Sequence, residues 1–183
     1  MLLNKEKYIL ETSLEDWDLK IKTNNKKAIK KTITSFTQDN YTATNKGLKK
    51  HIKDICDMVD KGFINVDIVE LIHCNKVVSY VFVTTFKEVN LCVLGMLHTI
   101  PEYRGHGLAS KLVKILMLTA EMEELPFVVE LHKDEVLEKR NFYGRLGLNI
   151  TATGLLPTNI AISNQENFDM IEHSKHFGVQ EAA

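Results

Sequence analysis

The residues best suited to chemistry in this chain run from His98 to Ser110: His98-Thr99-Ile100-Pro101-Glu102-Tyr103-Arg104-Gly105-His106-Gly107-Leu108-Ala109-Ser110. Leu108, Leu112, Ile115, Leu116, Thr119 and Met122 then recur at helical spacing, so the two glycines open a helix. A helix start leaves backbone N–H groups without intrahelical partners and carries partial positive charge. Glycine lets that backbone come close to a ligand, and Arg104 adds a full charge. The sum is an anion site suited to phosphate. No Gly-Lys-Ser/Thr follows, which excludes a Walker loop, and the three-glycine spacing of a dinucleotide fingerprint is missing. His98, just upstream, can take up a proton near neutrality.

Arg104-x-x-Gly107-x-Ala109, between an apolar strand with a Pro-Glu-Tyr-Arg-Gly lead-in and an amphipathic helix, resembles the Arg/Gln-x-x-Gly-x-Gly/Ala signature of the GNAT superfamily of N-acetyltransferases. Asn141-Phe142-Tyr143-Gly144-Arg145-Leu146-Gly147-Leu148 is similar to that family's Tyr-x-x-x-Gly-Phe element. The resemblance covers Val66 to Ile150 and weakens toward both ends. It implies an α/β (α+β) acyl-CoA N-acyltransferase fold. The sheet would be mixed, mostly antiparallel and flanked by helices, and would splay between the strand before the Arg104–Ala109 turn and the next one. The implied activity is transfer of acetyl from acetyl-CoA, the co-substrate, to a primary amine by direct attack in a ternary complex. Backbone N–H groups of Arg104, Gly105, His106, Gly107, Leu108 and Ala109 would hold the pyrophosphate, joined by the Ser110 hydroxyl. Leu97 and Thr99 would pair with the pantetheine arm, and an N–H near Leu97 or His98 would face the developing oxyanion. Tyr143 falls where the family places the acid for the departing thiolate; it also fits the simpler role of a polar-tipped aromatic packed on a sheet.

The general base departs from the family pattern. Many relatives carry Glu or Asp on the central strand, where this chain has Gly95 and Met96. His98 is the catalytic candidate there, although strand alternation could equally turn it away from the cleft. Glu130 and His132 are rivals on the next strand, with a structural role the preferred reading of both. Glu102 reads as structural, and His106 as shaping the turn or touching phosphate. Two alternatives stay open: an acyl-CoA-binding or regulatory protein of this fold without turnover, and an enzyme of this fold that modifies nucleic acid. The acceptor, a small-molecule or protein amine, is not readable. Many relatives dimerise, so a homodimer is an option.

Several elements must position these residues. Lys26–Thr37 reads as a helix with Ile29, Ile33 and Phe36 on one face, and Asn45–Lys61 as another with Leu48, Ile52, Ile55, Cys56 and Val59 in a stripe. Gly62 suits the position after its last turn. Val66–His73 and Val77–Phe86 read as strands, with Asn75-Lys76 as their hairpin turn. Leu91–Ile100 reads as a strand buried on both faces. Phe127–His132 should lie parallel to it after the helical crossover. Val136–Leu146 reads as a helix with Leu137, Phe142 and Leu146 toward the core and Gly147 as its cap. Asn149–Thr153 and Thr158–Ser163 read as late strands around a Gly154–Pro157 turn. A first strand at Glu6–Thr12 and a last helix at 164–177 complete the expectation, while Leu14–Ile21 gives no clear pattern.

With 183 residues, one domain spanning 1–183 is the natural expectation. A net charge of −1 gives no global attraction for nucleic acid. The lysines at 20, 22, 26, 27, 30 and 31 offer a docking patch for an anionic partner, but charge runs on helices are more often a solvated face, the preferred reading. Cys56, Cys74 and Cys92 have no zinc spacing and read as buried thiols in a reducing compartment. With no apolar run long enough to span a membrane and no signal-like N-terminus, a cytoplasmic protein is expected.

Overall fold

The computed structural model describes residues 17–40, 45–132, 136–153 and 159–163. Its elements are β1 (Asp18–Thr23), α1 (Lys26–Asn40), α2 (Asn45–Asp60), β2 (Ile64–His73), β3 (Lys76–Phe86), β4 (Leu91–Thr99), a short 3-10 turn (Pro101–Tyr103), α3 (Leu108–Met122), β5 (Phe127–His132), α4 (Val136–Gly144), β6 (Asn149–Thr153) and β7 (Asn159–Ser163). The strands form one seven-stranded sheet in the order β1-β2-β3-β4-β5-β7-β6. Every neighbouring pair is antiparallel except β4–β5, which is parallel because α3 carries the chain back across the sheet.

Alternation along the strands builds two cores. On one face Val69, Leu71, Val81, Val83, Cys92, Leu94, Phe127 and Val129 pack with Leu108, Leu112, Val113, Leu116 and Ala120 of α3 and with Tyr143 of α4. On the other face Ile64, Val66, Ile68 and Phe82 pack with Ala28, Ile29 and Ile33 of α1 and Ile55 of α2. Thr119 lies within the buried stripe of α3 because its hydroxyl donates to the Ile115 carbonyl at 2.8 Å. Met122, expected on that stripe, is instead 56% exposed: it is the last residue of α3, and the buried stripe ends at Thr119 and Ala120.

Local chemistry explains the boundaries. Asn25 caps α1, its Oδ1 accepting the Ala28 N–H at 3.0 Å. Gly62 and Gly147 follow α2 and α4 with φ of 76° and 84°, the left-handed caps expected of them. The β2–β3 turn is Cys74-Asn75 rather than Asn75-Lys76: both have positive φ, 48° and 61°, and His73 pairs with Lys76. A two-residue loop of that conformation matches strand twist, which moves the turn one residue earlier. Cys74 is therefore exposed, correcting the expectation of three buried thiols; Cys92 is buried and Cys56 half-buried. Leu91–Leu94 are buried on both faces, but Gly95 is exposed and Met96–Thr99 are half-exposed, so β4 leaves the core midway. The first described strand is β1, which begins within the unassigned Leu14–Ile21 segment and runs two residues past it. The strand expected at 6–12, the helix at 164–177, the 154–157 turn and the Leu137 side chain lie outside the described residues.

Among the described residues no helix is long and apolar enough to cross a membrane, and no group of three metal-ligating side chains occurs. Lys22 pairs with Glu70 and Lys26 with Asp60, while Lys20, Lys27, Lys30 and Lys31 are exposed.

Candidate active site

β4 and β5 pair only at Cys92–Phe127, Val93–Val128 and Leu94–Val129. Beyond that point β5 continues against β7 and β4 against β3, so the two parallel strands part. Gly95 is the cause. Val83 faces Leu94 and Phe82 faces Met96, which leaves Gly95 as an extra residue in β4. Such a bulge bends its strand and increases the local twist, steering β4 away from β5.

The bulge also resets the alternation of β4. Before it, the Cys92 N–H donates toward β5, to the Pro126 carbonyl at 2.9 Å. After it, the Ile100 N–H donates the other way, to Val78 of β3 at 3.0 Å. By alternation Leu97 and Thr99 turn their N–H and C=O groups into the opening. These are the two residues for which the resemblance implies pairing with the pantetheine arm.

The glycine turn stands at the end of the same strand. Gly105 has φ 82°, and Gly107, immediately before α3, has φ 75° and ψ 7°. A Cβ at either would meet no atom within 4 Å, so their freedom of φ rather than local crowding calls for glycine. No side chain caps α3, whose first helical bond runs from the Lys111 N–H to the Gly107 carbonyl at 3.0 Å. The N–H groups of its first turn thus face outward as anion donors. Arg104 is exposed and folds back, its Nε donating to the Thr99 carbonyl at 2.9 Å. His106 shapes the turn, its Nδ1–H donating to the Arg104 carbonyl at 3.0 Å. Leu108 is buried, and Ala109 and Ser110 are half-exposed. The glycine turn is therefore contiguous with the β4 edge.

The two faces of the sheet have different tasks. α3 and its turn lie on the face of Leu94 and Leu97. His98, adjacent in sequence to Leu97, lies on the opposite face with Met96, stacked on Tyr80 of β3 with ring centroids 5.3 Å apart and planes 27° apart. Glu130 shares that opposite face, since it follows Val129 of the α3-side core and its neighbour Val128 packs with Val93 on the far side. His98 and Glu130 thus flank the opening on the face away from α3. His132 ends β5. Tyr143, 3% exposed, is the buried end of α4, edge-on to Phe142 at 4.9 Å within the α3-side core. Glu102 is exposed on the lead-in turn.

Two site residues escaped the sequence reading. Buried Ser79 donates to the His98 carbonyl at 2.9 Å and lies 2.8 Å from the Thr99 hydroxyl, and Tyr80 holds the imidazole. Locating them requires the β3–β4 register, which slips at Gly95. An isolated glycine inside a strand pattern was the available signal.

Residues 33–148 match the family model described as the acetyltransferase (GNAT) family, more than half of the chain. An acetyltransferase from Streptococcus agalactiae is 17% identical at a TM-score of 0.58, over 82% of this chain and 99% of that one. A GNAT-family acetyltransferase from Staphylococcus aureus Mu50 is 14% identical at 0.56, over 80% and 98%. The PaiA N-acetyltransferase from Thermoplasma acidophilum, solved in complex with coenzyme A, is 11% identical at 0.51, over 80% and 98%. At these identities the likeness is one of fold. Comparison with curated proteins gives no match. With four of the seven described strands, the parting of β4 from β5 and the glycine turn inside the matched span, the chain belongs to the acetyltransferase (GNAT) family.

Proposed function

We propose that this chain is an acetyl-CoA-dependent N-acetyltransferase that acts on a primary amine by direct attack in a ternary complex. The observation that carries the reading is the opening between β4 and β5, with the Leu97 and Thr99 backbone on its edge and the uncapped Gly107 turn at its end. Acetyl-CoA, when bound, supplies an acyl group activated as a thioester. The fit is favourable: the turn offers N–H donors, Arg104 charge and open space above both glycines.

Each residue then has a definable task. Backbone N–H groups from Arg104 to Ala109, with the Ser110 hydroxyl, bind phosphate oxygens. Leu97 and Thr99 orient an extended arm by strand-like hydrogen bonds. A ligand whose phosphate end lies on the α3 side leaves the opposite face for the amine. His98 and Glu130 stand on that face, and either can take the amine proton, directly or through water. Tyr143 donates a hydrogen bond to the departing sulfur. One domain spanning the chain, in the cytoplasm, completes the reading.

The alternative, a cofactor-binding protein without turnover, draws on Gly95 and Met96 standing where relatives carry a carboxylate. Titration calorimetry with acetyl-CoA and CoA, followed by thiol release in the presence of mixed amines, separates the two. Micromolar binding lost in Arg104→Ala and Gly107→Glu, with amine-dependent thiol release, supports the enzyme. Binding without thiol release supports the binder. Lack of binding at millimolar CoA overturns both.

A further inference from the structure

The turn that faces phosphate is almost wholly exposed from Pro101 to Gly107, with Tyr103 half-buried. Most of its hydrogen bonds stay inside the segment or reach the adjoining end of β4: Tyr103 N–H to Ile100, Arg104 N–H to Pro101, Arg104 Nε to Thr99 and His106 to Arg104. Tyr103 reaches further. Its hydroxyl lies 3.1 Å from Nδ1 of His73, the last residue of β2. Trp17, just before β1, stacks on that imidazole at 4.6 Å and 27°, and meets Tyr103 edge-on at 6.0 Å and 86°. Three segments distant in sequence converge on one point beside the turn.

We propose that His73 is a positioning residue for the cofactor, and that Trp17, His73 and Tyr103 form a strut that holds the Arg104–Gly107 turn in its phosphate-binding conformation. The inference rests on the cofactor reading above. A short exposed turn with two positive-φ glycines has many alternative conformations, and a ligand that must order it loses affinity in proportion. The Tyr103–His73 hydrogen bond fixes the residue next to Arg104, while stacking on Trp17 fixes the imidazole. None of the three needs to touch the ligand. The strut serves the pyrophosphate end, whereas the Leu97–Thr99 edge is held mainly by its pairing with β3 and by Ser79, and joins the turn through the Arg104 Nε bond to the Thr99 carbonyl.

The test compares coenzyme A with acetyl-pantetheine, which lacks the pyrophosphate, in wild type, Tyr103→Phe, His73→Phe, the double variant and His73→Gln. Trp17 is the single tryptophan of the chain, so its emission reports on the strut directly. Tyr103→Phe and His73→Phe each keep a ring and lose the hydrogen bond; each should weaken CoA about five- to tenfold, the worth of one such bond. The double variant should be no worse than the weaker single, since both remove one interaction. His73→Gln, whose amide can accept from the Tyr103 hydroxyl, should recover most of the affinity. Acetyl-pantetheine should bind all variants alike, and CoA should change Trp17 emission in wild type. CoA affinity within twofold of wild type in both single variants would overturn the strut, as would an equal loss for acetyl-pantetheine. A wild type that binds no CoA would overturn the cofactor reading itself and the strut with it.

Discussion

Gly107→Glu separates folding from binding at the turn, because its two effects on folding partly offset each other while its expected effect on cofactor binding is undiminished. Gly107 has φ 75°, and a left-handed conformation costs a non-glycine residue about 1–2 kcal/mol. The new Cβ meets nothing within 4 Å, so no packing penalty is added. The carboxylate, meanwhile, sits beside the uncapped N-terminus of α3, where a negative charge contributes about 0.3–1 kcal/mol. The net destabilisation is about 1 kcal/mol, or about 2–4 °C in Tm for a chain of this size. In the proposed cofactor complex the same carboxylate would occupy the phosphate position and repel it. Wild type at a hundredfold excess of acetyl-CoA over its Kd should gain about 2.7 kcal/mol, a rise of roughly 5–10 °C. Thermal melts with and without acetyl-CoA read both effects. Gly107→Glu should melt slightly lower and show no cofactor-induced rise, while Gly107→Ala should melt lower and keep part of it. A wild-type rise in Gly107→Glu would refute the placement of phosphate at this turn.

Four further outcomes are expected. Glu124, which follows α3, holds φ 54° while the Leu125 N–H reaches back to the Ala120 carbonyl at 2.8 Å, so Glu124→Gly should raise Tm by about 2–4 °C, read by calorimetry. His98→Gln and Glu130→Gln should divide the proton-transfer role: the base is the residue whose loss lowers kcat at least tenfold and removes the acid limb of the kcat pH profile, and two unaffected profiles would eliminate both. Tyr143→Phe keeps a buried ring and should lower kcat far more than CoA affinity; an unchanged kcat with chemistry rate-limiting removes Tyr143 from the mechanism. Burial, with a smaller contribution from Asp67, pushes the Cys92 thiol up to about 12 from 9.0, so the unfolded chain binds fewer protons above pH 9. Stability should therefore fall between pH 9 and about 12, by at most about 1.4 kcal/mol per unit from this group, and Cys74 should react with thiol reagents at pH 8 while Cys92 stays protected.

The sequence made the helices legible because each buries one stripe. Ile29, Ile33 and Phe36, or Leu108, Leu112 and Leu116, repeat at a spacing that only a helix places on one face. Strand existence was equally legible from Val, Ile and Phe runs bounded by turn residues. β1 was missed although Leu19 and Ile21 alternate with Lys20 and Lys22: two apolar residues are a short signal, and what fixes the strand is its pairing with β2, including Lys22 with Glu70, a partner 48 positions away. Cys74 was misread for a related reason. An apolar residue type beside Asn75 looks like the end of a strand until the hairpin pairs His73 with Lys76 and leaves Cys74 in the loop.

The site divides along the same line between local and non-local information. The half proposed for phosphate is local: Arg104, Gly107 and the start of α3 are adjacent in sequence, so their types and spacing suffice to suggest an anion site. The half proposed for the acceptor is set by register. Whether His98 turns toward α3 or away depends on whether one residue is inserted upstream, and Gly95 is that residue. Without the bulge, Leu97 would share a face with Val93, and His98 would point into the α3-side core alongside Cys92 and Leu94. The bulge therefore performs three operations at once: it parts β4 from β5, it turns the Leu97 and Thr99 backbone toward the gap, and it delivers His98 to the face opposite α3. A glycine that reads from sequence as the absence of a catalytic carboxylate is, in the folded chain, what places the remaining candidate base.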